Sequence, residues 1–443
     1  MPASILRDGV TAMKRILTGA ALCALTPQAA LAQSIPAMTM PGMAMPPSRS
    51  AAVEPMAMPM DDGVSAAGSG TARLPANDRM RGLSVMAGDW MLMVHGYAWG
   101  NWTDQGGPRG AREAVVQSMA MLEAARPLGD GVDLTLRSML SLDPLMGERG
   151  YPDLFATGET AHGIALVDRQ HPHDLLMEMS GRIDVATGTD RHLFVYGGLP
   201  AEPALGPSAF MHRGSARFDP EAPITHHWFD STHIAWGVVT AGYAAPHWQV
   251  EASAFKGREP DENRYNIETP RLDSWAVRAT WTPSSAWSSE ISYGDLHSPE
   301  ALEPRQNEHR LIASTSYSAH GLDVTAAYSR KSIVPGRVLP AWFAEATYAV
   351  TARHVVFGRF ENVRNDELFE RDAQLGRDPP LLGAPFRVSK FTAGYAYTLP
   401  LPHSLAVALG AAASGYAKSD RLDAAYGRHP HSLTLFAKLM LGR

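Results

Sequence analysis

The feature that most constrains this chain is an alternation of apolar and polar residues, repeated in segments about ten residues long. Val132, Leu134 and Leu136 interleave with Asp133, Thr135 and Arg137. Trp248, Val250, Ala252 and Ala254 oppose Gln249, Glu251 and Ser253, and the same period returns at Trp275 to Trp281, Leu311 to Tyr317 and Leu433 to Leu441. Period two means strands with one apolar and one polar face, and roughly sixteen such segments follow Asp89. After the first 32 residues there is no run of about 18 apolar residues to form a membrane-spanning helix, yet 45% of the chain is hydrophobic.

The connections between segments are alternately short and long. Tight turns are expected at Pro127 to Gly131, Gly188-Thr189, Ala245-Pro246, Pro283 to Ala286, Ala319-His320, Thr351-Ala352 and Leu399 to Pro402. Longer loops are expected at Asn101 to Arg112, Asp143 to His173, Gly198 to Asp230, Arg258 to Pro270, Ser298 to Gln306, Lys331 to Leu339, Asn365 to Arg387 and Lys418 to His429. Such segregation is what an even-stranded outer-membrane barrel requires. Tyr243, Trp248, Trp281, Trp287, Tyr317, Tyr348 and Tyr397 all lie beside the short turns, where a girdle at the periplasmic interface belongs. Hydrocarbon leaves an open sheet edge unsatisfied, so the sheet must close. The predicted fold is all-β: a transmembrane, antiparallel, up-and-down barrel of about sixteen strands behind a disordered N-terminal arm. Its inward face carries Arg137, Glu178, Arg182, Glu251, Arg278, Glu290, Glu345, Arg359 and Glu361, either as ion pairs that stiffen the wall or as the lining of a hydrated lumen.

The amino terminus reads as an export signal: Lys14-Arg15, the apolar run Ile16 to Leu25, then Ala30-Leu31-Ala32. The expected organisation is a signal at 1–32, an arm at 33–76 and a barrel at 77–443. Cys23, the single cysteine, falls in the signal, so metal chemistry in the remainder would use His, Met and carboxylates. A formal charge of −6 without basic runs gives no reason to expect a nucleic-acid partner. The expected partners are outer-membrane lipid and metal ions.

Two groups of residues suggest metal. In the arm, Met38, Met40, Met43, Met45, Met56, Met58 and Met60 occur in a segment poor in aromatic and β-branched residues. Thioethers favour Cu(I), and a pliable chain can gather them around one ion, although a biased linker would look the same. In the two longest loops, His171, His173, His212, His226 and His227 can converge at or inside the barrel mouth. There they would serve either as metal ligands or as part of a polar network in which Asp168, Arg169, Asp174, Asp230 and His233 tie the loops to the wall. The carboxylates of Gly257 to Tyr265 could hold Ca²⁺, but the interleaved arginines would neutralise them. Arg364 to Asp378 reads as a solvated loop. Ser231 and His233, two apart on an expected strand, are the nearest approach to a hydrolase constellation, and nothing in their spacing sets them above ordinary strand polarity. The chain is therefore expected not to be an enzyme.

The signal, Met-rich arm and following barrel resemble in layout the copper-resistance protein B family, outer-membrane barrels with a methionine-rich periplasmic arm. The strings Asp168 to Asp174, Ala209 to Arg213 and Gly257 to Tyr265 are similar to a proteobacterial family of barrels of unassigned function that accompany heavy-metal efflux systems. This chain departs from barrels that end in an aromatic residue, since it closes on Leu439-Met440-Leu441-Gly442-Arg443. The resemblance implies an outer-membrane barrel that handles copper or a related heavy metal. A general porin-like channel or a structural outer-membrane protein is the alternative, and an outer-membrane hydrolase comes last.

Overall fold

The computed structural model describes residues 64–78, 82–369 and 381–442. The export signal and Met38 to Met60 lie outside them. Sixteen antiparallel strands form a closed barrel. They are β1 (Trp90–Gln105), β2 (Arg112–Gly129), β3 (Val132–Leu140), β4 (Leu176–Gly188), β5 (Arg191–Gly198), β6 (Val238–Ala245), β7 (Trp248–Phe255) and β8 (Ser274–Ser284), then β9 (Trp287–Leu296), β10 (Asn307–Ala319), β11 (Leu322–Val334), β12 (Val338–Ala349), β13 (His354–Asn365), β14 (Phe386–Pro400), β15 (Leu405–Ala417) and β16 (His431–Leu441).

Each strand pairs with its sequence neighbour, and β16 closes on β1 from Ser432↔Gln105 to Leu441↔Gly96. Below Gly96 the edge of β1 is taken by a short strand, Leu83–Ala87, which pairs from Val94 to Trp90. The seam is thus hydrogen-bonded along both parts of β1, as a sheet in hydrocarbon requires.

The two faces differ as the alternation predicts. Outward positions expose Leu122, Leu136, Ile183, Val195, Val250, Val277, Ile291 and Leu435, each between 42% and 56% accessible. Inward positions bury Arg137, Glu178, Arg182, Glu251, Arg278, Glu345, Arg359 and Glu361. At the short-turn end Trp248 lies across from Trp281, with Tyr243 5.4 Å from Trp248 and Tyr317 4.7 Å from Trp287. Such an apolar band with an aromatic rim is the lipid-facing surface of an outer-membrane barrel.

Three segments fold into the lumen. Tyr151–Ala161 and Ile164–Gln170 form a hairpin of their own, and every residue from Tyr151 to Ala161 is buried. The stretch from Leu199 to Gly237 crosses the interior in short turns, and its polar groups bond to inward side chains of the wall. Arg213 reaches Glu345, Thr225 reaches Glu361, and the backbone nitrogens of Ala204 and Gly206 reach Ser253 and Ser292. The third segment corrects the expected arm boundary at residue 76. Ser65–Ala67 pairs with Arg73–Pro75, Gln249 and Arg278 bond Thr71, and Arg137 bonds the Gly68 carbonyl. A stretch of small residues, taken from composition as arm, packs into the wall because small side chains leave its backbone free to bond there. Another expectation changes in length: Lys331 to Leu339 is not a long loop, since β11 and β12 extend until only residues 335–337 connect them.

Candidate metal centre

Five imidazoles meet inside the plug, delivered by three local structures. His171 and His173 follow the inner hairpin, with Pro172 between them ending the ladder. His226 and His227 occupy the single helical turn His226–Phe229, and His233 ends the 3₁₀ turn Ser231–His233. Ser231 and His233 therefore lie on a turn and not on the expected strand. The Ser231 hydroxyl accepts a bond from Arg310 at 2.9 Å.

Ring centroids are 5.2 Å apart for both His226–His227 and His226–His233. They are 5.4 Å apart for His173–His233, 5.5 Å for His171–His227 and 5.7 Å for His171–His226. All five residues are buried, none more than 8% accessible.

One nitrogen of each ring is anchored. Nδ1 of His173 is 2.8 Å from Asp143, Nδ1 of His226 is 2.9 Å from Asp230, and Nδ1 of His227 is 2.9 Å from Glu259. His233 donates Nδ1–H to the Asp230 carbonyl at 2.7 Å, and His171 sets Nε2 3.2 Å from Glu159. The opposite nitrogen is what remains: Nε2 of His173, His226, His227 and His233 is buried with no hydrogen-bond partner among the described residues. An unmet buried polar atom costs roughly 1–3 kcal/mol, and four clustered acceptors repeat that cost with no gain to the fold. Anchoring Nδ1 on a carboxylate or carbonyl while Nε2 points to a common space is how proteins prepare histidine for a metal. Ligand atoms of His171, His226 and His227 all lie within 4.8 Å of one another. Tetrahedral nitrogen ligands at ~2.1 Å sit about 3.4 Å apart.

The electrostatics suit neutral ligands. Burial, reinforced by the neighbouring imidazoles, holds His171 and His233 well below the ordinary histidine range, and burial lowers His226 despite Asp230. Asp230 keeps its charge: burial opposes ionisation, but His226 and Arg213 outweigh it and hold the carboxyl below its usual range. His227 differs, because the Glu259 carboxylate outweighs burial and raises it. A metal must therefore displace a proton at His227 more often than at its neighbours.

Of the expected residues, the structure brings together His171, His173, His226, His227 and His233, the last of which was assigned only to the network. It sets His212 apart, on the turn Phe210–His212 near His95 and Arg137. The network residues hold the plug, though mostly not through these histidines. Asp168 accepts from Phe155 N at 2.8 Å and pairs with Arg109 at 2.6 Å; Arg169 bonds Glu113 at 2.8 Å; Asp174 takes Arg264 at 3.3 Å and Trp236 at 3.2 Å. Asp230 alone touches the cluster directly.

Several functional residues escaped the sequence reading: Asp143, Glu159 and Glu259 as anchors, and Gly158, whose φ of 108° lays its Cα on the His227 ring. A Cβ there would lie 2.2 Å from His227 Cε1. Nothing in their spacing marks them, because they reach the site from different loops. The carboxylates of Gly257 to Tyr265 do not converge on one ion: Glu259 binds His227, while Arg264 pairs with Glu159 and Asp174. Toward the long-loop mouth a cavity of about 190 Å³ runs past Glu300, Glu303, Asp366 and Glu367 down to Glu159, the partner of His171.

No family model matches this chain and no curated protein does. Solved structures do match. OmpF of Salmonella typhi, determined in complex with daunomycin, aligns with 81% of this chain and 100% of its own at a TM-score of 0.53 and 8% identity. OprB of Pseudomonas putida covers 80% of this chain and 94% of its own at 0.49 and 14% identity. An anion-selective porin from Comamonas acidovorans covers 80% and 100% at 0.47 and 10% identity. The likeness to OmpF is one of fold, a closed antiparallel β-barrel.

Proposed function

We propose that this protein handles transition-metal ions, copper or a related heavy metal, at the outer membrane, and that the five-histidine cluster is its ion site. The observation that carries this reading is the set of four buried, unpartnered Nε2 atoms whose rings are each fixed at Nδ1 by a carboxylate or carbonyl. Imidazole ligands without thiolate suit Cu(II) and Zn(II), among the borderline divalent ions. Met38, Met40, Met43, Met45, Met56, Met58 and Met60 would bind Cu(I) on the periplasmic side and hand it to, or take it from, periplasmic copper-handling proteins. The acidic cavity beside Glu300 and Glu367 gives a divalent cation a favourable approach to the cluster from the loop side.

The decisive experiment titrates the detergent-solubilised protein with Zn(II) and Cu(II) against a chromophoric chelator, beside a variant carrying His226→Ala and His227→Ala. Tight binding lost in the variant, with the barrel still heat-modifiable on a gel, supports the reading. Equal binding by both proteins removes the cluster from the function. A Cu(I) titration of residues 33–63 against a Met-to-Leu control tests the arm separately.

The porin-like alternative makes a different demand. Trp228, Trp236, Phe155 and Arg213 fill the lumen and are at most 2% accessible, so a general solute channel would need the plug to leave. Planar-bilayer conductance that is large, steady and indifferent to metal would favour that alternative.

A further inference from the structure

Away from the histidine cluster, the wall carries a patch of thioethers. Met93 on β1, Met119 and Met121 on β2, Met139 on β3 and Met177 on β4 pack into one buried cluster, each at most 5% accessible. The register explains their convergence. Met121 lies directly across from His95 on one side and from Met139 on the other, and Met119 lies across from Tyr97. Directly opposed side chains in a sheet have Cβ atoms about 4.5–5.5 Å apart. Met177 joins at the irregularity where Leu140 pairs with Leu176 but Met139 with Glu178.

Their orientation is what requires a reason. Met93, Met119, Met121 and Met139 occupy inward positions, on a wall that elsewhere turns Glu123, Arg137, Glu178 and Arg182 inward. For lipid-facing surface these strands use Val94, Val116, Leu122, Leu136 and Leu140, with Met179 the exception. Methionine is thus chosen where the pattern calls for polarity and mostly avoided where it calls for grease. Gap filling, the ordinary use of buried methionine, accounts for one such residue better than for a patch shared by four strands.

A second observation points to a ligand. The turn Phe210–His212 lies against the patch, Met211 packing onto it. Both ring nitrogens of His212 are buried and neither has a hydrogen-bond partner among the described residues. A histidine with two unmet nitrogens beside a bed of thioether sulfurs is costly as packing and sensible as a ligand set. Burial, with His95 and Arg137 nearby, pushes the imidazole down to about 3, so it is a neutral donor at ordinary pH. The Arg137 charge is matched by Glu123 at 2.7 Å.

We infer that His212 and the methionines around Met121 form a second metal site inside the barrel, selective for a soft monovalent ion, Cu(I) or Ag(I). A set dominated by thioether, with imidazole and no thiolate, disfavours hard ions and favours these two, and the Glu178 carboxylate across from Met139 is engaged by Ser180 and Tyr196. The site is chemically distinct from the histidine cluster and stands whether or not that cluster binds divalent metal.

The test uses the full chain with the seven arm methionines replaced by leucine, purified in detergent and titrated with Ag(I). It is compared with the same chain carrying Met93→Leu, Met121→Leu and Met139→Leu, and with one carrying His212→Ala. Leucine keeps the volume, so the barrel should stay heat-modifiable. The expected result is a tightly held silver ion with sulfur neighbours in its X-ray absorption spectrum, lost in the triple variant and weakened in H212A. Equal silver binding by parent and triple variant, or bound silver without sulfur scattering, overturns the inference. If the triple variant does not assemble, Met121→Leu alone and H212A are judged by the same criterion. His226→Ala should leave the sulfur signal unchanged, which separates this site from the divalent one.

Discussion

Replacing Asp230 with asparagine tests whether the histidine cluster is a prepared metal site. Asp230 is 3% accessible and accepts three bonds, from His226 Nδ1 at 2.9 Å, Phe210 N at 2.9 Å and Arg213 Nη1 at 3.0 Å. Asparagine keeps the shape but turns one acceptor into a donor. If its oxygen stays with Phe210 and Arg213, its NH₂ faces His226 Nδ1, and the imidazole must move its proton to Nε2 to accept that bond. The lone pair that would bind metal is then gone. If the amide flips, its NH₂ meets Phe210 N–H and the Arg213 guanidinium, donor against donor. Arg213 retains Glu345 at 2.6 Å, so the fold loses less than the site does.

Loss of such an outer partner typically weakens metal binding about 10–100-fold, which is roughly 1.4–2.7 kcal/mol. The assay is chelator competition with Zn(II) and Cu(II) on the solubilised barrel, with gel heat-modifiability and circular dichroism as controls for assembly. Affinity unchanged in a correctly assembled D230N would refute the reasoning, because it would mean that the tautomer of His226 is irrelevant to whatever binds there.

Three further outcomes are expected. Gly158→Ala places a methyl on the His227 ring at a φ of 108°; it should cut divalent affinity while leaving Ag(I) binding intact, measured by the same two titrations. Lys390→Met removes the partner of Asp153 at 2.7 Å and Glu221 at 2.9 Å, all three groups being nearly inaccessible. That should cost about 3–5 kcal/mol, seen in urea unfolding and in faster proteolysis of the 151–170 hairpin, unless protonation of Asp153, which burial already pushes up to about 7, relieves part of it. With pH, the plug should lose stability from about pH 4.5, where an unfolded glutamate releases its proton, up to about 8, with His227 adding to the loss above about 6.5. Glu202, pushed up by burial to about 8, binds a proton in the folded state that the unfolded chain has released, and His227, raised by Glu259, loses its bonus as pH climbs through its folded value. Glu202→Gln should flatten that decline by about 1.4 kcal/mol per pH unit in the middle of the window, read from denaturation midpoints between about pH 5.5 and 7.

The barrel was legible because its signal is physical and repeated. Lipid outside and polar plug inside force period two on every strand, and the sequence cannot avoid displaying it. The plug was legible only as long loops rich in histidine. Its interior obeys no period, since Leu199 to Gly237 is held by single bonds to wall residues such as Ser253, Ser292 and Glu361. The anchors of the cluster were hidden for the same reason: Asp143 lies thirty residues from His173 and Glu259 thirty-two from His227. His212 was grouped with the other histidines because it stands between them in the chain. A 3₁₀ turn sets it instead near His95 and Arg137 of the wall, beside methionines whose spacing on β1, β2 and β3 looks in sequence like ordinary strand interior.

Taken together, the buried charges indicate how such a plug stays in place while holding a cation. A porin lumen is wet, and its charges are solvated; here Arg213, Arg278, Arg310, Arg359, Lys331 and Lys390 are all nearly inaccessible and each is matched by carboxylates from the wall or the plug. Removing one member of such a pair leaves the other uncompensated in low dielectric, which makes partial withdrawal of the plug expensive at every step. The histidine cluster differs from these pairs, because four of its ring nitrogens have no partner among the described residues. On the proposed reading a metal ion completes the network at that point, and metal should then also raise the unfolding temperature of the plug in proportion to its affinity. A plug equally stable with and without saturating Zn(II) or Cu(II) would show that the cluster is completed by something else.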